Sequence, residues 1–258
     1  MDRVFLKKSD VRAVILAAGY ATRLYPLTLN MPKPLLFVRP GKTVIDFIVD
    51  QLEAVPAIKE IIVVTNHKFY SDFLTWSQRR KHSVKLTVLD DRTQSNEDRL
   101  GAVGDLYFAV KKRKVTSDLI VFGGDNLFDH GFGKFIEFAQ RNRPFASLGL
   151  FDIRSKKEAT RFGVVNVDKN LKVICFEEKP KKPKSTQVAT CLYYFPKETL
   201  SLLTKYMKDA TTKKDAPGNY IHWLLEEKGV YGFTLEQGHW VDIGHFDSYK
   251  EVVNRFNK

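Results

Sequence analysis

Between Val14 and Val38 the stretch VILAAGYATRLYPLTLNMPKPLLFV carries only two charges, Arg23 and Lys33, directly after an apolar run that reads as a buried strand. Gly19 can adopt positive φ and bring main-chain amides close to an anion, while Ala18, Ala21 and Thr22 are small enough to leave room for it. Arg23 can offer a planar fork to phosphate oxygens, and Lys33, set between Pro32 and Pro34 on a stiffened backbone, supplies a point charge. Together they would neutralise a polyphosphate; a tight surface turn with two solvated cations is the plainer alternative. The missing Gly-Lys-Ser/Thr excludes a Walker-type loop.

Carboxylates supply the complementary chemistry. VFGGDNLF reads as a buried strand ending in Gly123, Gly124 and Asp125, and a carboxylate there suits a hard cation such as Mg2+ that also grips phosphate oxygens. Asp242, in GHWVDIGHFDSY, would complete the pair that magnesium usually takes, whereas a capping or turn aspartate is the simpler reading of either residue alone. In CFEEKP, Glu177 and Glu178 could hold a sugar hydroxyl and Lys179 a phosphate; a solvated strand edge would look the same.

Such residues need a sheet to aim them. VRAVILA, EIIVVTN, VKLTVL and DLIVFGG are short β-branched runs without clean alternation, as strands buried on both faces are, and helical patterns separate them. This predicts an α/β, Rossmann-like three-layer fold with a mixed, mainly parallel sheet, ligands binding beyond the carboxyl ends of its strands. From Ala146 the texture changes to strands and turns, a mixed-sheet extension. We therefore expect one domain over 1–258, with a nucleotide-binding half (1–145) and a sugar-phosphate-binding half (146–258). No hexapeptide pattern signals a C-terminal β-helix domain.

A chain of 258 residues, 43% hydrophobic and 28% charged, can bury a substantial core. Its +12 net charge, from 42 Lys+Arg against 30 Asp+Glu, is spread rather than gathered and accompanies no nucleic-acid motif, so no nucleic-acid partner is expected. The opening MDRVFLKKSD lacks a signal-peptide core and no apolar run reaches spanning length, so the expectation is a soluble, cytoplasmic protein with no membrane partner. Cys175 and Cys191 show no ligand spacing and read as core residues.

LAAGYATRLYPLT…PKPLL, GGDN, FGVV, EEKP, LYYF and WVDIG stand in the order and rough separations of the sugar nucleotidyltransferases, and over nearly its whole length the chain resembles glucose-1-phosphate thymidylyltransferases and uridylyltransferases. The resemblance implies a magnesium-dependent enzyme joining a nucleoside triphosphate to a sugar 1-phosphate, with release of pyrophosphate. It implies that Leu16, Ala17, Ala18, Gly19, Thr22, Gly101 and Gly124 hold the nucleotide and that Arg23 grips the pyrophosphate. Lys33 would stabilise the α-phosphate, Asp125 and Asp242 would hold the metal, and Gly163, Glu178, Lys179 and Tyr193 would bind the sugar phosphate. The resemblance also implies a possible homo-oligomer.

Departures from the family pattern bear on specificity. Ala21 replaces the second glycine of Gly-x-Gly-Thr-Arg and should be tolerated only in an ordinary backbone region; Cys191 stands where a Thr-Gly pair usually precedes LYF, which would narrow the sugar pocket. Family members commonly read a pyrimidine with a glutamine ahead of the Gly101 position, so Gln94 or Asn96 is the expected reader, within a polar loop where Asp98 and Arg99 could simply pair. UTP or dTTP is expected ahead of CTP. The alternatives are a cytidylyltransferase acting on a sugar phosphate or on a phosphorylated alcohol such as phosphocholine, and a non-catalytic regulatory homologue.

Overall fold

The structure, a computed structural model, describes residues 10–236 and 240–256. The opening residues read above for a leader, and Gly238 and His239 of the GHWVDIGHFDSY motif, lie outside the described residues. In chain order the strands and helices are β1 (Val11–Leu16), β2 (Phe37–Arg39), β3 (Lys42–Thr43), α1 (Val44–Glu53), β4 (Ile58–Thr65), α2 (Tyr70–Ser77), β5 (Lys85–Asp90), α3 (Ala102–Lys112), β6 (Asp118–Gly123) and β7 (Asn126–Phe128). There follow α4 (Gly133–Arg141), β8 (Ala146–Asp152), α5 (Lys156–Ala159), β9 (Gly163–Val167), β10 (Val173–Glu178), β11 (Gln187–Phe195), α6 (Leu200–Lys208), α7 (Pro217–Glu227), β12 (Val230–Thr234), β13 (Trp240–Asp242) and α8 (Phe246–Phe256).

The apolar runs form the middle of a nine-stranded sheet, where β5, β4, β1 and β6 lie side by side and parallel. β11 joins β6 antiparallel; β8 and β9 pair antiparallel with β11, and β12 runs parallel to β8. Thus β1, β4, β5, β6, β8, β9 and β12 share one direction, opposed by β10 and β11, and the sheet is mixed but mainly parallel. The second half is continuous with this sheet rather than appended to it, because β11 hydrogen-bonds both to β6 and to the later strands. Apolar clusters cover both faces: Ile15, Ile48 and Phe73 belong to one, Val14, Leu106 and Leu224 to the other. No described helix is long and apolar enough to cross a membrane.

After β1 the chain moves outward through β4 to β5, then returns to the opposite side of β1 as β6. This reversal is the switch point at which an open α/β sheet leaves a crevice. Leu16 pairs in register with Gly123, so the loops leaving β1 and β6 emerge together.

Candidate active site

A cavity of about 490 Å³ opens at that switch point, walled by the β1 loop, the start of α3, the end of β6, the β9–β10 pair and the segment before α7. The β1 loop is held from below by the Asn66 amide, which donates to the Ala18 carbonyl at 2.9 Å, and by the Thr28 hydroxyl, which donates to that of Ala21 at 2.8 Å. The left-handed residue is not Gly19 but Ala21, at φ 49° and ψ 38°, where the chain tightens into the Thr22–Leu24 turn. This corrects the expectation of ordinary backbone at Ala21: the methyl is carried in the left-handed region at about 1–2 kcal/mol. A side chain at Gly19 would project into open space.

Lys33 opens a one-turn helix fixed by Pro32 and Pro34, and its ammonium donates to Asp125 Oδ2 at 2.7 Å. Burial pushes the Asp125 carboxyl up, but the charge and hydrogen bond of Lys33 outweigh it and hold the group below the usual carboxylate range. A small ribbon brings in the second carboxylate. β7 pairs antiparallel with β13, setting Asp242 opposite Asn126, while the Trp240 indole donates to Asn126 Oδ1 at 2.7 Å and the Asn126 amide donates to Asp125 Oδ1 at 2.8 Å. Burial, then the negative charge of Asp125, pushes Asp242 up to about 6 against the pull of Lys33, Arg161 and Arg23. Beside it, burial and the same cations push His245 down, so positive potential from Arg161, Arg23 and Lys33 converges here.

On the opposite wall Glu178 faces Gly163 across the β9–β10 pair. A side chain at Gly163 would press on Phe176 and Glu178, and one at Gly218 would overlap the Glu178 carboxylate; the glycines make room for this acid. Burial raises the Glu178 carboxyl, with Lys179 opposing the shift from 3.8 Å away. Tyr193 is buried beneath this wall, its hydroxyl 3.9 Å from Cys191 Sγ. Cys191 packs against the core as expected but also lines the cavity, at φ 54° in the register break of β11, and burial pushes its thiol up to about 12. Cys175 is half-buried on β10, away from the cavity wall.

Leu16, Ala17, Ala18, Gly19, Thr22, Arg23, Lys33, Asn96, Gly101, Asp125, Gly163, Glu178, Lys179, Tyr193 and Asp242 therefore share one cavity. Two expected nucleotide contacts do not. Gln94 is exposed beyond the wall, its backbone N–H turned to Asp98, and Gly124 packs behind the wall, where a side chain would meet the Leu16 carbonyl and Pro34. Nor do Asp98 and Arg99 pair locally, since Arg99 reaches Asp215, ahead of α7, at 3.0 Å. Sequence reasoning missed Arg161, Asp105 and Asp215 on the wall; a cation two residues before Gly163 was the available signal for the first.

The glucose-1-phosphate adenylyltransferases of Trichlorobacter lovleyi and Fusobacterium nucleatum are 27% and 26% identical to this chain over 93% and 95% of it, and the chain spans 64% and 66% of their lengths. A crystal structure from Bacillus anthracis, assigned as a glucose-1-phosphate thymidylyltransferase in complex with sucrose, matches with a TM-score of 0.78 at 24% identity, covering 95% of this chain and 94% of that one, a likeness of fold. The nucleotidyl transferase family model matches residues 12–258, which takes in every wall residue described above, and the chain belongs to that family.

Proposed function

We propose that the chain transfers a nucleotidyl group from a nucleoside triphosphate to a sugar 1-phosphate. The observation that carries this reading is the Lys33–Asp125 pair at 2.7 Å beside Asp242, with Arg23 and Arg161 adding positive potential, opposite the Glu178–Lys179 wall. A phosphate monoester is already an anionic nucleophile, so the reaction needs alignment and charge neutralisation rather than a serine or histidine base. A sugar-phosphate oxygen attacks the α-phosphorus, the new P–O bond forms, and the bond to the bridging oxygen breaks as pyrophosphate leaves. In this reading Lys33 neutralises charge growing on the α-phosphate, Arg23 and Arg161 meet the departing pyrophosphate, and Glu178 and Lys179 take the sugar and its phosphate.

The donor set fits magnesium. Among the described residues no group of three or more His, Cys, Asp or Glu side chains gathers, but Asp125 and Asp242 stand close enough that the charge on one raises the other. Two carboxylates plus phosphate oxygens are the ordinary ligands of this ion. Asp125 and Asp242 would hold it, and when bound it would offset charge on the phosphates.

Pyrophosphate release with magnesium, across five nucleoside triphosphates each offered with a panel of sugar 1-phosphates and phosphocholine, tests the reading. A productive pair supports it, and phosphocholine as the only acceptor would move the chain to the cytidylyltransferase alternative. Silence from folded protein that binds triphosphate would sink it.

A further inference from the structure

One pair of side chains plays no part in that reaction. Asp91, just past β5, and Asp105, in the first turn of α3, are only 7% and 6% exposed, and Asp105 lines the cavity beside Asn96, Gly101 and Ala102. Asp91 Oδ1 is occupied, accepting from the Thr93 N–H at 2.7 Å and hydroxyl at 2.8 Å. Asp91 Oδ2 and Asp105 Oδ1 have no partner, although the two carboxyls stand within hydrogen-bond reach of each other.

Two buried carboxylates at that separation cannot both ionise, and one shared proton satisfies both orphaned oxygens. Burial and the Asp91 charge push Asp105 up to about 8, so the proton is kept at neutral pH. Asp90 acts on Asp91 in the same sense, and Glu97 and Asp98 add negative charge felt at Tyr20, while Arg99 is engaged by Asp215. A turn role accounts for Asp91 Oδ1 and a helix-dipole role for an acid in the first turn of α3, but neither explains the bare oxygens.

The shared proton points from one acid to the other, so the remaining oxygen of Asp105 is acceptor-only whichever acid holds it. A triphosphate would be repelled here, and its cations lie at the Arg23, Lys33 and Arg161 end. We propose that Asp105, with Asp91 as its positioning residue, selects the base by accepting a hydrogen bond from an exocyclic amino group, so that CTP or ATP is taken ahead of UTP or dTTP. A keto oxygen at the same place would face an acceptor with no proton between them. This reverses the uracil or thymine preference expected from the sequence, and it rests on the transferase reading above.

The test is calorimetric titration of the whole chain with CTP, ATP, UTP, dTTP and dCTP, with magnesium and without acceptor. CTP and ATP are expected to bind at least about tenfold more tightly than UTP and dTTP. Asp105→Ala, which removes the acceptor and offers no donor in its place, should lower that ratio about tenfold. Asp91→Asn, which can donate to Asp105 and leave it an acceptor, should preserve it. No amino preference in the wild type, or an unmoved ratio in folded Asp105→Ala, overturns the proposal. So does a change in the CTP-to-dCTP ratio in place of the base ratio, which would put Asp105 on the ribose. If Asp105→Ala does not fold, the wild-type ratio and Asp91→Asn decide. Absence of binding by every triphosphate overturns the transferase reading as well, whereas binding without base preference overturns only the base proposal.

Discussion

The two ends of the cavity handle buried charge in opposite ways. At the phosphate end Lys33 meets Asp125 at 2.7 Å, and the carboxylate is held in its charged form despite its burial. At the far end two acids, Asp91 and Asp105, face each other with a bare oxygen apiece, and Asp105 is pushed up to about 8. The first arrangement keeps charge ready to match an anionic ligand. The second leaves one negative charge shared between two acids and an acceptor-only edge, which suits an amino group of a base and repels a phosphate. The contrast teaches that partner sign and depth act together here: the Asp125 side chain keeps 37% of its exposure beside a cation, whereas Asp105 keeps only 6% beside another acid.

Breaking the phosphate end should have the largest effect. Asp125→Ala removes a proposed metal ligand and leaves Lys33 with no carboxylate, and kcat should fall by about a thousandfold or more in the pyrophosphate-release assay. Near-normal turnover with an unchanged magnesium requirement would remove Asp125 from the metal site. Lys33→Ala should lower kcat by about a hundredfold to a thousandfold while moving the triphosphate KM little, because charge on the α-phosphate grows toward the transition state. A change confined to KM would demote Lys33 to ground-state binding.

The far end should show itself in stability instead. An unfolded aspartate releases its proton near pH 4, whereas folded Asp105 keeps its proton to about pH 8. Between these values the native state binds more protons than the unfolded state, so this contribution is complete below about pH 4 and is lost as pH rises toward about pH 8. Urea unfolding at several pH values across that window should show the wild type losing ground to Asp105→Asn, at no more than about 1.4 kcal/mol per pH unit. Parallel pH profiles would mean that the two acids do not share a proton.

The same two ends differ in how far they could be read from sequence. The phosphate end was legible because β1 and β6 close in apolar runs, 13–16 and 119–122, and each leads through a glycine to a charged residue, Arg23 and Asp125, in the loop that follows. What was not legible there is the ribbon: β7 and β13 are three residues each, too short for periodicity to show, and Asn126 meets Trp240 from far along the chain. At the base end Asp105 lies one helical turn beyond Gly101 and its meaning depends on Asp91 in another element, so neither spacing nor residue type marks the pair. Gln94 and Asn96 are close in sequence, and only the fold of their loop decides that Asn96 reaches the wall.

Ala21 presents the smallest expected effect and the finest comparison with Gly19. Both lie in the same loop, yet the left-handed conformation falls on the residue with a methyl group, against ordinary preference, because the Thr22–Leu24 turn begins there and the Thr28 hydroxyl holds the Ala21 carbonyl. Ala21→Gly would remove a strain of about 1–2 kcal/mol but would also free the unfolded chain, giving back about 0.4–1 kcal/mol. The net expectation is a gain of about 0.5–1 kcal/mol in urea unfolding, with the triphosphate Kd unchanged if the backbone path is kept. A gain in stability accompanied by weaker triphosphate binding would instead show that the strained alanine holds the loop amides in their binding arrangement, and that this chain retains the strain for its ligand.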